Sequence, residues 1–257
     1  GPGNADDRAL ELLFAEAEKK GMKVNFHIEP YPGRSAESVK ENLGYLIDKF
    51  KGSPALYRDA DRDHLPMFYV YDSYLIPTEE WGSILRPDSP NTIRGTERDA
   101  VMIALYVNQK DKRLLTEGGF DGVYTYFATK GFTEGSTPEN WKEVRDWTRS
   151  LGKLFIPSVG PGYDDLPIRP WNKKNYRERE GGDYYSTMFE SAIEARPDFI
   201  SVTSFNEWHE GTQVEPAIPA KYGERQYKDY LPLKPDGYLD LTRKWVKEFE
   251  THQAGKE

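Results

Sequence analysis

The chain contains no cysteine in 257 residues. That excludes disulfides, thiolate metal sites and cysteine nucleophiles, and leaves the redox compartment open. No apolar run reaches the roughly 18 residues a bilayer span requires, and no N-terminal pattern reads as a signal peptide. An Asn-X-Ser/Thr sequon is missing too, which favours a bacterial over a eukaryotic secreted source. Basic excess is lacking: 35 Lys and Arg stand against 43 Asp and Glu, for a net charge of -8. Such a balance argues against nucleic acid as a partner and suits an enzyme with a neutral substrate. Histidine is scarce, with 4 residues, and neither His-x-x-x-His nor Glu-x-x-His spacing occurs, so no metal site is expected. The absence of Gly-x-Ser-x-Gly argues against a serine hydrolase, and that of Gly-x-Gly-x-x-Gly against a dinucleotide site.

Aromatic residues are plentiful, with 6 Trp, 17 Tyr and 12 Phe. Their faces pack on the C–H faces of sugars, and equally fill cores. With 37% hydrophobic and 30% charged residues, a folded domain with a real core is expected. The length is normal for one α/β barrel.

Short apolar runs alternate with helical segments. Helical spacing marks about 6–20, with Leu10, Leu13, Phe14 and Ala17 on one face, and about 35–50, with Val39, Leu43, Leu46, Ile47 and Phe50 in one stripe. Thr137-Pro138 opens a helix through Trp141, Val144, Thr148 and Leu151, Thr being a capping residue and Pro suiting the first position. Further helices are expected before Gly118, over 183–195 and over 238–250. Six strands are predicted: 23–28, 67–71, 101–107, 122–127, 154–159 and 199–205. Strand-helix alternation means a parallel sheet with helices outside it. Polar residues collect where strands end, at Glu29, Asp72, Tyr126, Ser158, Asn206 and Glu207. In a (β/α)₈ barrel, as in a doubly wound sheet, that end is where ligands bind.

The strongest local signal is Ser204-Phe205-Asn206-Glu207-Trp208-His209-Glu210-Gly211-Thr212-Gln213. Two carboxylates sit three residues apart just past an apolar strand. Glycoside cleavage needs one acid to protonate the departing oxygen and a second group at the anomeric centre. Close carboxylates also push their pKa values apart. By spacing alone, two solvated loop glutamates fit equally well. A third carboxylate, Glu29, ends a strand among His27, Pro30 and Tyr31. If buried, it needs a partner: either a sugar hydroxyl or a neighbouring cation.

In this company the chain resembles glycoside hydrolase family 99, the endo-α-1,2-mannosidases. The resemblance rests on Phe26-His27-Ile28-Glu29-Pro30-Tyr31, on Pro66 through Tyr74, on Gly119 through Thr129, on Ile156 through Tyr163, on Ile168-Arg169-Pro170-Trp171-Asn172 and on the segment from Asn206 to Gln213. It implies a (β/α)₈ TIM barrel, with about six βα units in this chain and the first two strands apparently missing. Gly1-Pro2-Gly3 resembles the loop after the second of those strands. Residues 1–257 are therefore expected to form a single glycoside hydrolase catalytic domain, incomplete at its N-terminus.

The implied activity is retaining endo-cleavage at an α-1,2-mannosidic bond, within an N-glycan or fungal mannan. Glu207 matches the base acting on the substrate's own 2-hydroxyl, which attacks the anomeric carbon to give a 1,2-anhydro sugar. Glu210 matches the acid that protonates the leaving oxygen and then deprotonates water. Glu29, Tyr71 and Tyr126 match residues around the cleaved mannose, and Trp171, Asn172, Asn206 and His209 are further expected contacts. The resemblance implies a glycan partner, no nucleic acid, no membrane span and no cofactor. A monomer is expected, in a bacterial periplasm or cell surface, or in the Golgi lumen. A conventional double displacement on glutamate, and an impaired carbohydrate-binding barrel, are the alternatives.

Overall fold

The computed structural model describes residues 5–223, 225–227 and 229–254. Gly1-Pro2-Gly3 lies outside them. The chain forms two compact units, one of 5–106 with 110–123, the other of 107–109 with residues from 124 onward. The fold is α/β. No helix among the described residues is long and apolar enough to cross a membrane.

The first unit opens with α1 (Ala5–Lys20), β1 (Phe26–Ile28), α2 (Ala36–Phe50), β2 (Arg58–Asp59) and β3 (Leu65–Val70). It continues through α3 (Thr78–Leu85), β4 (Val101–Leu105), α4 (Lys112–Thr116) and the start of β5 (Gly122–Tyr124). Its sheet runs β1-β3-β4-β5, with β2 antiparallel on β3. The β1–β3 register pairs Phe26 with Phe68, His27 with Tyr69 and Ile28 with Val70, in parallel. That register brings Glu29 and Tyr71 to neighbouring strand ends, since the Tyr71 amide still donates to Ile28 O at 3.0 Å.

Ser35 starts α2 as a reciprocal cap: its hydroxyl accepts from the Ser38 amide, while Ser38 Oγ accepts from the Ser35 amide. Such a cap offsets two otherwise unpaired donors. Phe14, Phe26, Phe50 and Phe68 stack in the core, with Phe14 and Phe50 centroids 3.9 Å apart. Leu13, expected on that buried face, is 50% exposed. The buried line of α1 runs instead through Asp7, Phe14 and Ala17, and Asp7 accepts a hydrogen bond from Tyr45.

In the second unit lie α5 (Trp141–Ser150), β6 (Leu154–Ile156), β7 (Ser158–Val159), α6 (Asp183–Glu194), β8 (Ser201–Val202), the hairpin β9 (Ala220–Tyr222) and β10 (Arg225–Tyr227), and α7 (Gly237–Ala254). β7 and β8 pair in parallel, Ser158 opposite Ser201. Tyr185, Phe189, Tyr230, Tyr238 and Trp245 pack as an aromatic cluster under α6 and α7.

Two expectations at α5 are corrected. Thr137 makes no cap: its hydroxyl donates to Thr133 O, and a 3₁₀ turn over Pro138–Asn140 precedes the helix. Leu151 follows the last helical residue and is 41% exposed. Each predicted strand is present, but 154–159 is broken into β6 and β7, and four stop short of their predicted ends: β3 at Val70, β4 at Leu105, β5 at Tyr124 and β8 at Val202. β5 ends at Tyr124 because Tyr126 turns to φ 55. β8 ends at Val202, and two residues on the Ser204 amide has left the ladder and donates to Thr212 O.

Candidate active site

In the second unit the segment after β8 folds back on itself. Ser204 and Thr212 join through their hydroxyls at 2.8 Å, and the Val214 amide donates to Ser204 O. Within this closed loop the Glu207 amide donates to Ser204 Oγ at 2.9 Å. The Glu210 amide donates to Glu207 O at 3.3 Å, so the two glutamates occupy one tight turn. Gly211 ends the turn at φ 64, a conformation side chains resist. A Cβ there would also meet the Asp164 backbone nitrogen at 2.9 Å. That close approach lets the Asp164 amide donate to Glu210 O at 2.8 Å, seating the turn on the segment after β7.

The two carboxylates sit in different surroundings. Glu207 is exposed, whereas Glu210 is half-buried. Burial pushes the Glu210 carboxyl above its ordinary range, and the neighbouring charges of Glu207 and Asp165 add to that. Arg169 opposes the shift, donating from Nη1 to Glu210 Oε1 at 3.2 Å. The same Nη1 donates to Asp165 Oδ2 at 3.1 Å. Tyr163 and Asn172 donate to that oxygen as well, at 3.0 and 2.8 Å. Burial and the adjacent carboxylates push the Tyr163 hydroxyl up.

The other expected residues fall in several settings. Tyr126 is half-buried, its amide held by Ser158 Oγ at 2.6 Å and its carbonyl by the Thr203 hydroxyl. Those two hydrogen bonds hold the left-handed backbone that presents its ring. Asn172 belongs to the Asp165 cluster and accepts from Asn175. Asn206 and His209 are exposed on the loop, and Trp171 is 79% exposed. His209 and Trp208 help line a cavity of about 410 Å³, with Tyr163, Ile168, Arg179 and Gln213. Neither Glu207 nor Glu210 lines it.

Within the first unit, Glu29 is not buried. Its side chain is 62% exposed, and its partner is His27, with Nδ1 2.8 Å from Oε1. β1 ends one residue earlier, so the side chain projects beyond the sheet instead of into the core. The Tyr71 ring stands 5.5 Å from the His27 ring, and Arg34 donates to the carbonyls of Tyr71 and Asp72. Among the described residues no three His, Asp or Glu side chains are grouped as a metal site requires.

The sequence model of glycosyl hydrolase family 99 matches residues 2–251. The chain belongs to that family. Glycoprotein endo-alpha-1,2-mannosidase of Rattus norvegicus is 45% identical over 249 residues, which are 96% of this chain and 54% of the relative. The protein of the same name from Xenopus laevis is 47% identical over 257 residues, 96% of this chain and 57% of that one. The chain thus spans little more than half the length of these family 99 relatives. The solved family 99 endo-alpha-mannosidase from Bacteroides thetaiotaomicron superposes with a TM-score of 0.94 at 45% identity, covering 99% of this chain and 78% of that one.

Sequence reasoning missed Asp165 and Tyr163 and did not single out Arg169. The signal was present in Asp165-Leu166-Pro167-Ile168-Arg169, an acid and a base four residues apart.

Proposed function

We propose that this chain is the catalytic domain of a retaining endo-α-1,2-mannosidase that cleaves within mannose-containing glycans. The observation that carries the reading is the Glu207–Glu210 turn, with one glutamate exposed and the other half-buried beside Arg169, its carboxyl raised above its ordinary range by burial. Two carboxylates in such different surroundings suit the separate roles of acid and base that glycoside cleavage needs. The names of the relatives supply the substrate class. A family match running through both units supports a single catalytic domain. The βα alternation, with polar residues gathered after strand ends, supports a (β/α)₈ barrel.

In this reading Glu210 protonates the oxygen leaving the anomeric carbon. Glu207 takes the proton of the mannose 2-hydroxyl as that oxygen closes on the anomeric carbon. In an α-mannoside both substituents are axial and anti, so the hydroxyl approaches from the back face and a 1,2-anhydro sugar forms. Glu210, now ionised, deprotonates water as the water oxygen bonds to the anomeric carbon; the bond from that carbon to the 2-oxygen breaks, the 2-oxygen takes back the proton held by Glu207, and the product has the α configuration. Tyr126, Asn206 and His209 are read as sugar contacts beside this turn, with Trp171 and Asn172 on the adjoining segment. Glu29 and Tyr71 are read as sugar contacts at the strand ends of the first unit.

The test is proton NMR of a defined α-1,2-linked mannan fragment during cleavage. The expected product is an oligosaccharide whose new reducing end first appears as the α anomer. A β anomer, or release of single mannose units from the chain end, contradicts the reading. A substrate lacking the reacting 2-hydroxyl should hardly turn over, and its efficient cleavage would instead indicate a double displacement on glutamate.

A further inference from the structure

Asp165 is 1% exposed, yet it is a carboxylate that neither the strand-end pattern nor the glutamate pair accounts for. Three donors converge on its Oδ2: Tyr163 Oη at 3.0 Å, Asn172 Nδ2 at 2.8 Å and Arg169 Nη1 at 3.1 Å. Its other oxygen is buried with no hydrogen-bond partner among the described residues. The contact with Arg169 is built into the local backbone, since the Arg169 amide donates to Asp165 O at 2.7 Å in a helical turn.

The Arg169 nitrogen that Asp165 holds is the one that reaches Glu210 Oε1 at 3.2 Å. A guanidinium nitrogen of this kind carries two hydrogens. Here that one nitrogen serves both carboxylates. An arginine free of Asp165 would turn its planar fork to Glu210 and grip both oxygens, the arrangement that binds a carboxylate most tightly in its ionised form.

We propose that Asp165 is a positioning residue: by anchoring Arg169 it limits Glu210 to a single shared N–H contact and so keeps Glu210 usable as a proton donor. This rests on the reading of Glu210 as the acid of glycoside cleavage. The groups that face Glu210 are Arg169, Asp165 and Tyr163 from the 163–169 segment and Glu207 from its own turn. Asp164 meets it through the backbone. Removing Asp165's charge and releasing Arg169 act in the same direction, since both favour ionised Glu210.

The experiment measures kcat/KM against pH for the wild type, Asp165→Asn, Arg169→Met and the double variant. An acid must be protonated to act, so the high-pH limb follows Glu210. Asp165→Asn should move that limb toward lower pH by about one unit, and Arg169→Met toward higher pH. In the Arg169→Met background the effect of Asp165→Asn should shrink by about half or more, because most of it passes through Arg169. A limb unmoved by Asp165→Asn, or moved upward, overturns the proposal. So does an equal shift in both backgrounds, which would leave only direct repulsion between the two acids. If Asp165→Asn does not fold, Asp165→Ser carries the same predictions. Carbon NMR titration of labelled glutamate carboxyls reads Glu210 without turnover. A wild type that cleaves neither an α-1,2-linked mannan nor a mannose-linked N-glycan defeats the functional reading, while this titration still decides the role of Asp165.

Discussion

Arg169 Nη1 stands 3.2 Å from Glu210 Oε1, close enough to bond the acid but shared with Asp165. Burial outweighs that contact, and the Glu210 carboxyl is raised above its ordinary range. The sign for activity follows directly. An acid raised in this way stays protonated to higher pH, so turnover is lost only as pH rises through the raised value. The high-pH limb of kcat/KM should lie above the ordinary glutamate value of about 4.3. A limb at or below that value would show that Arg169, and not burial, governs the carboxyl.

Gly211 should tolerate no side chain. Its φ of 64 disfavours one, and an added Cβ would press on the Asp164 backbone at 2.9 Å. Backbone atoms cannot rotate aside as a side-chain tip does. Gly211→Ala should cost about 1–3 kcal/mol in urea unfolding and lower kcat/KM by about tenfold or more, since small displacements of a reacting group are costly. Wild-type stability and rate in this variant would mean that the turn is not held by its contact with Asp164.

Glu29 offers a separation of fold from function. Its side chain is 62% exposed, with His27 as its partner. Glu29→Gln should leave the thermal midpoint nearly unchanged, an effect within about 0.5 kcal/mol. A sugar contact predicts that kcat/KM on mannan nonetheless falls by about tenfold or more, as for loss of a hydrogen bond to a charged group. Unchanged kinetics would reduce Glu29 to a surface partner of His27.

Much of the scaffold is legible in the residues themselves. α2 is readable because its apolar stripe has a 3.6-residue period and Ser35 caps it. The same reading fails at Leu13 and Leu151, where a helical period is satisfied but the tertiary neighbours lie elsewhere. The lengths of β5 and β8 are not legible, since they are decided by the turned backbone of Tyr126 and by the Ser204–Thr212 closure. Glu207 and Glu210 stand out through composition and order of motifs. Asp165 does not, because its role depends on three donors from two turns meeting one buried oxygen. Burial of an acid cannot be read from a loop sequence, as the exposed Glu29 and the buried Asp165 together demonstrate.

The central claim is that Glu210 delivers the proton to the leaving sugar, and Glu210→Gln tests it most directly. The variant keeps the shape and removes the proton, so loss should scale with how much the leaving group needs one. On a natural mannose-linked glycan, kcat/KM should fall by roughly 10²–10⁴. On an α-mannoside with an activated aryl leaving group, matched in its other sugars, the loss should be far smaller. Equal losses on both substrates would contradict the assignment of Glu210 as the acid.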